Sequence, residues 1–230
     1  MNMNNQSPTH IRGIIFDLDG TLYKMKWFFK PLLTIMLFPK SLLLPRYMNV
    51  RRQYAGKDHD GGTPLLMALA EDLAGKKGDR NSQQMHDWII RHFYTAFENV
   101  MPLLRGSRPG LNELLGRLRD NDIRLGVLSD FDRVAQRLNG LRIPPQLFDT
   151  LASTESSGCL KPSPTCFLSI SSQWNIAPHS ILVIGDRADT DGLGAQNAGM
   201  NFIQITDSPS DKKQALTWKQ VKKLLDSILE

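Results

Sequence analysis

The stretch from Gly13 to Tyr23, GIIFDLDGTLY, places two aspartates directly behind a run of apolar residues. The run is typical of a buried β-strand, so we expect Asp17 and Asp19 at the carboxyl end of that strand. Two carboxylates so close together repel each other. Such a pair normally persists where a cation, a proton or a reacting group compensates the charge. The sequence therefore predicts a compensating group at this point of the fold.

The composition indicates an ordinary globular protein. The chain has 230 residues, of which 22% are charged and 41% apolar, enough for one sizeable domain or a core with a smaller second unit. Cys159 and Cys166 lack metal-site spacing, and we expect them to be reduced thiols. The first ten residues, MNMNNQSPTH, show no secretory signal pattern. These features predict a cytoplasmic location.

The positive charge is concentrated in one part of the chain. The formal net charge is +5, yet the range Gly20–Lys57 holds eight lysines and arginines and no acidic residue. The remainder therefore carries 5 − 8 = −3. A protein that coats nucleic acid would spread its basic residues more widely, so we expect no nucleic-acid partner.

Short apolar runs alternate with helical patterns over much of the chain. The runs are IRGIIFDL, IRLGVLSD, FDTLAST, ILVIGD and NFIQIT. This alternation predicts an α/β fold with a doubly wound parallel sheet. Ligands of such sheets bind at the carboxyl ends of the strands. Ser129 and Asp186 end two further runs, so we expect them at the same edge as Asp17 and Asp19.

Residues 23–103 interrupt the alternation. They contain two amphipathic helical patterns, TPLLMALAEDLAGK and SQQMHDWIIRHFYTAFENVM, and we interpret them as a smaller inserted helical cap domain. The catalytic core is then formed by residues 1–22 and 104–230. A final amphipathic helix is predicted in ALTWKQVKKLLDSIL, with Trp218, Val221, Leu225 and Ile228 facing inward.

Four segments together resemble the ordered motifs of the haloacid dehalogenase (HAD) superfamily, in its phosphatase branch. They are DLDGT, LSD, LKPSP and IGDRADTDGLGAQNAG. The resemblance implies a Rossmann-like core, a helical cap of the C1 type whose closure excludes water, and phosphatase activity. The second carboxylate, Asp19, favours phosphate chemistry over dehalogenation.

The motifs suggest a role for each residue in phosphoryl transfer, where catalysis is mostly positioning and charge neutralisation. Asp17 is suited to attack phosphorus and form an aspartyl-phosphate. Asp19 could protonate the leaving oxygen and then activate water. The predicted phosphate-binding residues are Gly20, Thr21, Ser129, Asp130 and Lys161. At position 130 asparagine is common in the family, so an aspartate there alters the hydrogen bonding expected around the phosphate.

The acidic residues also predict a magnesium site. Mg²⁺ prefers hard oxygen ligands and often uses few protein carboxylates. We expect Asp17, Asp186 and the backbone carbonyl of Asp19 as ligands, and the resemblance adds Asp191 through a water molecule. The role of Asp189 is left open. Metal and substrate phosphate would then compensate the crowded carboxylates.

The basic, apolar stretch at residues 24–52 is the least ordinary part of the chain. Lysines and prolines interrupt it, so we do not expect a transmembrane helix. One interpretation is that it forms the core of the cap and its seam with the catalytic domain. The other is a surface that contacts anionic or apolar partners, with lysines meeting phosphate and Trp27, Phe28 and Phe29 meeting a tail.

The sequence is compatible with several functions. The main hypothesis is a magnesium-dependent phosphatase that hydrolyses small organic phosphate monoesters. Alternatives are a phosphomutase on the same machinery, a phospho-accepting signalling receiver, and a protein that binds anionic membranes without turnover. Nothing in the sequence specifies the phosphorylated metabolite or an oligomeric state.

Overall fold

The computed structural model describes residues 11–75, 79–208 and 215–229. Its centre is a sheet of five parallel strands in the order β3-β2-β1-β4-β5. The strands are β1 (Gly13–Phe16), β2 (Arg124–Ser129), β3 (Thr150–Ser153), β4 (Ile181–Gly185) and β5 (Asn201–Gln204). The prediction of a doubly wound parallel sheet is confirmed.

The register of the sheet brings the polar strand ends together. Phe16, the last residue of β1, lies opposite Val127 of β2 and Ile184 of β4. All three strands run in the same direction, so the residues that follow them meet at one edge. Asp17 therefore emerges between the ends of β2 and β4.

Helices connect these strands and flank the sheet. They are α6 (Leu111–Asp120), α7 (Val134–Gly140), α8 (Thr154–Ser157), α9 (Thr165–Trp174), α10 (Leu193–Asn197) and α11 (Trp218–Ile228). The helices α1–α5 precede them, within residues 29–100. Short 3₁₀ turns lie at Pro145–Leu147 and Pro178–Ser180, and a π-helical turn at Ala188–Gly192. In α11, Val221 and Leu225 are fully buried, while Trp218 and Ile228 pack at the edge of the core.

The insertion between β1 and β2 is helical. It comprises α1 (Phe29–Met36), α2 (Leu43–Gln53), α3 (Gly62–Ala74), α4 (Asp79–Asp87), a π-helical turn (Trp88–Phe93), α5 (Tyr94–Val100) and a 3₁₀ turn (Met101–Leu104). The boundaries 1–22, 23–103 and 104–230 stay predictions, and the first ten residues lie outside the described ranges. Nowhere in the described ranges is there a helix long and apolar enough to cross a membrane.

The apolar core extends without a break from the sheet into the insertion. One cluster joins Ile14 and Phe16 of β1 to Tyr47, Leu65 and Trp88 of the inserted helices. A second cluster includes Ile15 and Val183 and covers the other face of the sheet. Burial on both faces explains why the central strands are uniformly apolar.

The expectation of reduced cysteines is wrong. Cys159 and Cys166 are joined by a disulfide, and both side chains are buried. Their sequence separation of 7 gave no metal-site spacing, and sequence spacing alone does not reveal that the loop after α8 folds back onto the start of α9.

Two strand glycines make room for the indole ring of Trp174. A Cβ atom on Gly13 or on Gly126 would lie 2.8 Å from a carbon atom of that ring. The ring is also fixed by its Nε1–H, which donates to Thr150 Oγ1 at 2.8 Å. The indole of α9 therefore lies directly against the backbone of β1 and β2.

We predict that Gly126→Ala lowers the free energy of unfolding by about 1–3 kcal/mol, because the added methyl group overpacks the Trp174 contact. Gly116→Ala is the matched control, since a Cβ atom there meets nothing within 4 Å. On α6 it should stabilise by about 0.5–1 kcal/mol. Urea denaturation of the parent protein and both variants measures these changes, and equal stability of the two variants would contradict close packing of Trp174 against Gly126.

Candidate active site

The loop that follows β1 is shaped by Gly20 and held by a buried arginine. Gly20 has φ +80°, and a Cβ atom on it would lie 2.5 Å from Asp186 Oδ2. Only glycine permits so close an approach of the backbone to that carboxylate. Arg108 donates from Nε to the Thr21 carbonyl at 2.7 Å and from Nη2 to the Gly20 carbonyl at 2.6 Å. These contacts fix the loop that carries both aspartates.

Lys161 is the buried cation between the carboxylates. Its Nζ donates to Asp17 Oδ1 at 3.0 Å, to Asp191 Oδ1 at 2.7 Å and to the Leu128 carbonyl at 2.7 Å. Its side chain is 1% exposed, so solvent scarcely screens these pairs. The ammonium group thus compensates part of the charge predicted from the sequence.

Three carboxylates converge at the edge of the sheet. One oxygen atom each from Asp17, Asp186 and Asp191 lies within 4.8 Å of the other two. A Cβ atom on Gly185 would lie 2.4 Å from Asp191 Cγ, so this carboxylate is packed against the end of β4. A cluster of hard oxygen donors around one point fits Mg²⁺. The carboxylate of Asp19 does not join it.

Burial shapes the electrostatics of the cluster. Burial raises the pKa of Asp17 well above its usual value; Lys161 opposes this rise and the neighbouring carboxylates add to it. Burial, together with Asp191 and Asp19, raises the pKa of Asp186 to about 6. For Lys161, burial lowers the pKa, but the nearby carboxylates outweigh it and the pKa is raised. Lys161 alone therefore does not offset three ionised carboxylates, and the raised pKa values show that protons, or a further cation in their place, are favoured there.

Asp19 is bound by two residues that sequence reasoning did not identify. Arg137 Nη2 lies 2.5 Å from both carboxylate oxygens, and the Tyr23 hydroxyl donates to Oδ1 at 2.7 Å. Arg137 is fully buried on α7 and also donates from Nη1 to Ser129 Oγ at 2.9 Å. It therefore ties the loop after β1 to the end of β2.

The other predicted phosphate-binding residues lie around the same edge. The Thr21 hydroxyl donates to Asp17 Oδ2 at 3.1 Å, and Ser129 Oγ accepts from the Phe131 N–H at 3.2 Å. The side chain of Asp130 is half-buried. Burial raises the pKa of Asp191, and the charge of Asp130 adds to that rise. Against the lowering effect of burial, Asp17 and Asp191 raise the pKa of Lys161, and Asp130 contributes to that rise as well. Asp130 thus adds negative charge beside the predicted phosphate position, where asparagine would add none.

Asp189 does not lie in the carboxylate cluster. It is exposed and accepts from Arg187 Nε at 3.1 Å and Nη2 at 2.6 Å. Its neighbours in the motif, Asp186 and Asp191, point toward Lys161 and Asp17 instead. The π-helical turn at Ala188–Gly192 thus places Asp191 in the cluster and Asp189 on the surface.

The inserted helices contact the site loops through a buried ion pair. Arg51 of α2 pairs with Glu155 of α8 and donates from Nη2 to the Asp130 carbonyl at 2.8 Å. The Tyr47 hydroxyl donates to Glu155 Oε1 at 2.6 Å, and the Arg51 guanidinium lies 4.3 Å from the ring centroid of Phe131. Arg51 therefore belongs to an internal network, although the sequence counts it in the basic stretch.

The sequence gives little indication that three residues belong to the site: Arg137, Arg108 and Tyr23. Arg137 occurs in a helix with polar neighbours, where a lone arginine is usually solvated. Arg108 follows the insertion by a few residues and resembles a loop cation. Only contact between distant segments makes these residues part of the site, so the sequence pattern did not predict them.

Comparison with known proteins agrees with this geometry. A family model described as haloacid dehalogenase-like hydrolase matches residues 11–199. The chain belongs to this family. The match covers β1 to β4 and every residue of the candidate site, so the resemblance given by the four motifs is confirmed.

Two curated relatives are glyceraldehyde 3-phosphate phosphatases. The protein from Pyrococcus abyssi is 32% identical over 109 residues, which cover 47% of this chain and 46% of that protein. The protein from Methanopyrus kandleri is 29% identical over 211 residues, which cover 85% and 84%. The chain thus spans less than half of the first relative and most of the second.

The fold of this chain is similar to that of a solved structure. It is that of the HAD-hydrolase YfnB from Bacillus subtilis bound to magnesium. The likeness has a TM-score of 0.64 at 15% identity and covers 94% of this chain and 99% of that one. At this identity the likeness concerns the arrangement of strands and helices.

We predict that the contribution of Asp186 to the stability of the metal-free protein falls as pH rises from 3.8 to about 6, its pKa values in the unfolded and the folded chain. In that window the folded chain holds a proton that the unfolded chain has released, so raising the pH favours unfolding. Thermal unfolding measures the slope, which Asp186→Asn should reduce.

Added Mg²⁺ should raise the Tm by about 5 °C near neutral pH and less in acid, because protons compete for the same carboxylates. Asp189→Asn is the matched control, because that carboxylate lies on the surface outside the cluster. A magnesium-induced shift in Asp186→Asn as large as in the parent protein would contradict metal binding at Asp186.

Proposed function

We propose that the protein is a magnesium-dependent phosphatase that hydrolyses small organic phosphate monoesters through an aspartyl-phosphate on Asp17. The observation that carries the proposal is the buried contact of Lys161 with both Asp17 and Asp191, directly beside Asp186. A cation and a nucleophilic carboxylate at the edge of a parallel sheet are the parts that phosphoryl transfer needs.

In the first step, an oxygen of Asp17 attacks phosphorus and the bond to the leaving oxygen breaks. Asp19 supplies the proton that this leaving oxygen takes up. In the second step, water attacks the phosphorus of the aspartyl-phosphate, the bond between phosphorus and the Asp17 oxygen breaks, and a proton of the water passes to Asp19. Inorganic phosphate then leaves and both aspartates return to their starting states.

Asp17, Asp186, Asp191 and the backbone carbonyl of Asp19 would hold Mg²⁺. When bound, the ion neutralises charge on the phosphate oxygens and orients the phosphoryl group. Lys161 would offer a fixed positive charge to the same oxygens, and Ser129 a hydroxyl and a backbone N–H. Thr21 and Arg108 keep Asp17 and its loop in place.

Residues 23–103 would act as the cap that covers this site. Their contact through Arg51 and Tyr47 with Glu155 supports a position over the loops after β2 and β3. A covering cap excludes bulk water from the reacting group and selects the substrate. Glyceraldehyde 3-phosphate is the first substrate to assay, because relatives that match most of the chain carry that name.

We predict that Asp17→Asn lowers magnesium-dependent phosphate release from an aryl phosphate by at least about 10³-fold, because an amide oxygen is a poor nucleophile. Asp189→Asn, which changes an exposed carboxylate of the motif, should stay within about threefold of the parent enzyme. The assay measures released phosphate with magnesium and with chelator. Turnover that survives in Asp17→Asn would overturn the mechanism.

Arg137 is a positioning residue for Asp19, and its replacement should affect poor leaving groups most. Arg137→Met should lower kcat/KM about 10²-fold for an alkyl phosphate, whose leaving oxygen needs a proton. For p-nitrophenyl phosphate, which needs little protonation, the loss should be about tenfold or less. Arg137→Lys should restore part of the alkyl phosphate rate.

Leu138→Ala controls for loss of stability, since Leu138 is buried on the same helix. This variant should lower kcat/KM for both substrates by the same factor. An equal loss for both substrates in Arg137→Met would assign Arg137 a structural role only.

A further inference from the structure

Exposed large apolar side chains are concentrated in one short part of the insertion. Of the nine such side chains in the described residues, six lie between Met25 and Leu42. The four most exposed are all among them: Trp27 at 89%, Leu42 at 82%, Phe38 at 79% and Ile35 at 70%. Single exposed apolar residues are normal, whereas a cluster marks an interaction surface. We call residues 24–42 the basic apolar tip.

The tip is folded, so its exposed side chains are held outward by ordered backbone. Phe29 and Leu33 of α1 are buried at helical spacing, and Leu37 continues that buried stripe. Phe38 N–H donates to the Ile35 carbonyl at 3.1 Å, and further turns of this kind lead into α2. One face of the tip therefore packs against the core, and the other face is exposed to solvent.

The tip carries positive charge without acidic neighbours in sequence. Lys24, Lys30 and Lys40 are exposed, and the range Gly20–Lys57 contains no aspartate or glutamate. A groove beside the tip is lined by Phe38 and Lys40 on one side and Arg91 on the other. The exposed Lys24, Lys30 and Lys40 can meet an anion while the exposed apolar side chains meet apolar material.

We propose that the basic apolar tip docks the protein on the surface of an anionic phospholipid bilayer. Trp27, Phe38 and Leu42 would enter the boundary between headgroups and acyl chains, and the lysines would contact lipid phosphates. Stable peripheral binding needs both an apolar and an electrostatic contribution, and the tip supplies both. This inference goes beyond the phosphatase activity and does not depend on it.

Charge argues against two other occupants of this surface. A second copy that met the tip through its own tip would bring two sets of four lysines against each other, which costs free energy at short range. The residues outside the described ranges contain only Asp211 and Glu230 as acids. They offer little charge to complement the tip, whereas an anionic bilayer offers a continuous negative surface.

The test is flotation of the full chain with vesicles of phosphatidylcholine, with and without one quarter phosphatidylglycerol. We expect binding to the anionic vesicles and little to the neutral ones. The double variant Lys30→Gln, Lys40→Gln should weaken binding on the order of twentyfold, since each lysine near an anionic surface contributes roughly fivefold. Salt of about 0.5 M should weaken binding of the parent protein as well.

Matched variants separate docking from general effects. Lys219→Gln with Lys223→Gln removes two charges from α11, and Leu103→Ser removes an exposed leucine outside the tip. Both should bind like the parent protein, whereas Phe38→Ser with Leu42→Ser should lose most binding. Asp17→Asn should bind normally, so loss of phosphatase activity and loss of docking are distinguishable.

Trp27 reports docking directly. It is far more exposed than the other three tryptophans, Trp88, Trp174 and Trp218. Its emission should shift to the blue when anionic vesicles are added, and Trp27→Phe should keep binding but lose the shift. Binding that is equal for all variants, absence of binding, or dimerisation through the tip would each overturn the proposal.

Discussion

The repulsion between buried carboxylates is the constraint on which the site depends. Asp17, Asp186 and Asp191 come together because three parallel strands end side by side, and only one buried ammonium group, from Lys161, lies among them in the described chain. Desolvated charges of one sign are costly unless opposite charge accompanies them. The protein therefore retains a cluster of hard oxygen donors whose charge a divalent cation can balance.

The backbone makes this crowding possible at two glycines. Gly20 and Gly185 both lie where a Cβ atom would enter an aspartate carboxylate, so neither position tolerates a side chain without displacement of that carboxylate. Arg108 holds the loop after β1 through the carbonyl groups of Gly20 and Thr21, and Arg137 holds it through Asp19. The positions of the clustered carboxylates thus depend on arginines that lie outside the cluster.

The sequence predicts the features that show a regular pattern or lie at the end of a strand. It does not predict features that arise only from contacts between distant segments. Strand periodicity and the motif order were sufficient for the parallel sheet and for the grouping of Asp17, Lys161, Asp186 and Asp191. The same reasoning missed Arg137, because a buried arginine and a solvated one look alike in a helical pattern. It also gave the wrong state for Cys159 and Cys166, since their approach requires a turn that their spacing does not encode.

The pairing of Glu155 with Arg51 and Tyr47 has a consequence for movement of the inserted helices. If these helices swung away from the sheet, Glu155 would lose both partners while remaining a carboxylate inside the protein. Removing one partner of a buried ion pair typically costs about 3–5 kcal/mol. Separation of α2 from α8 would therefore cost free energy, so the buried ion pair holds the inserted helices against the loop that follows β3.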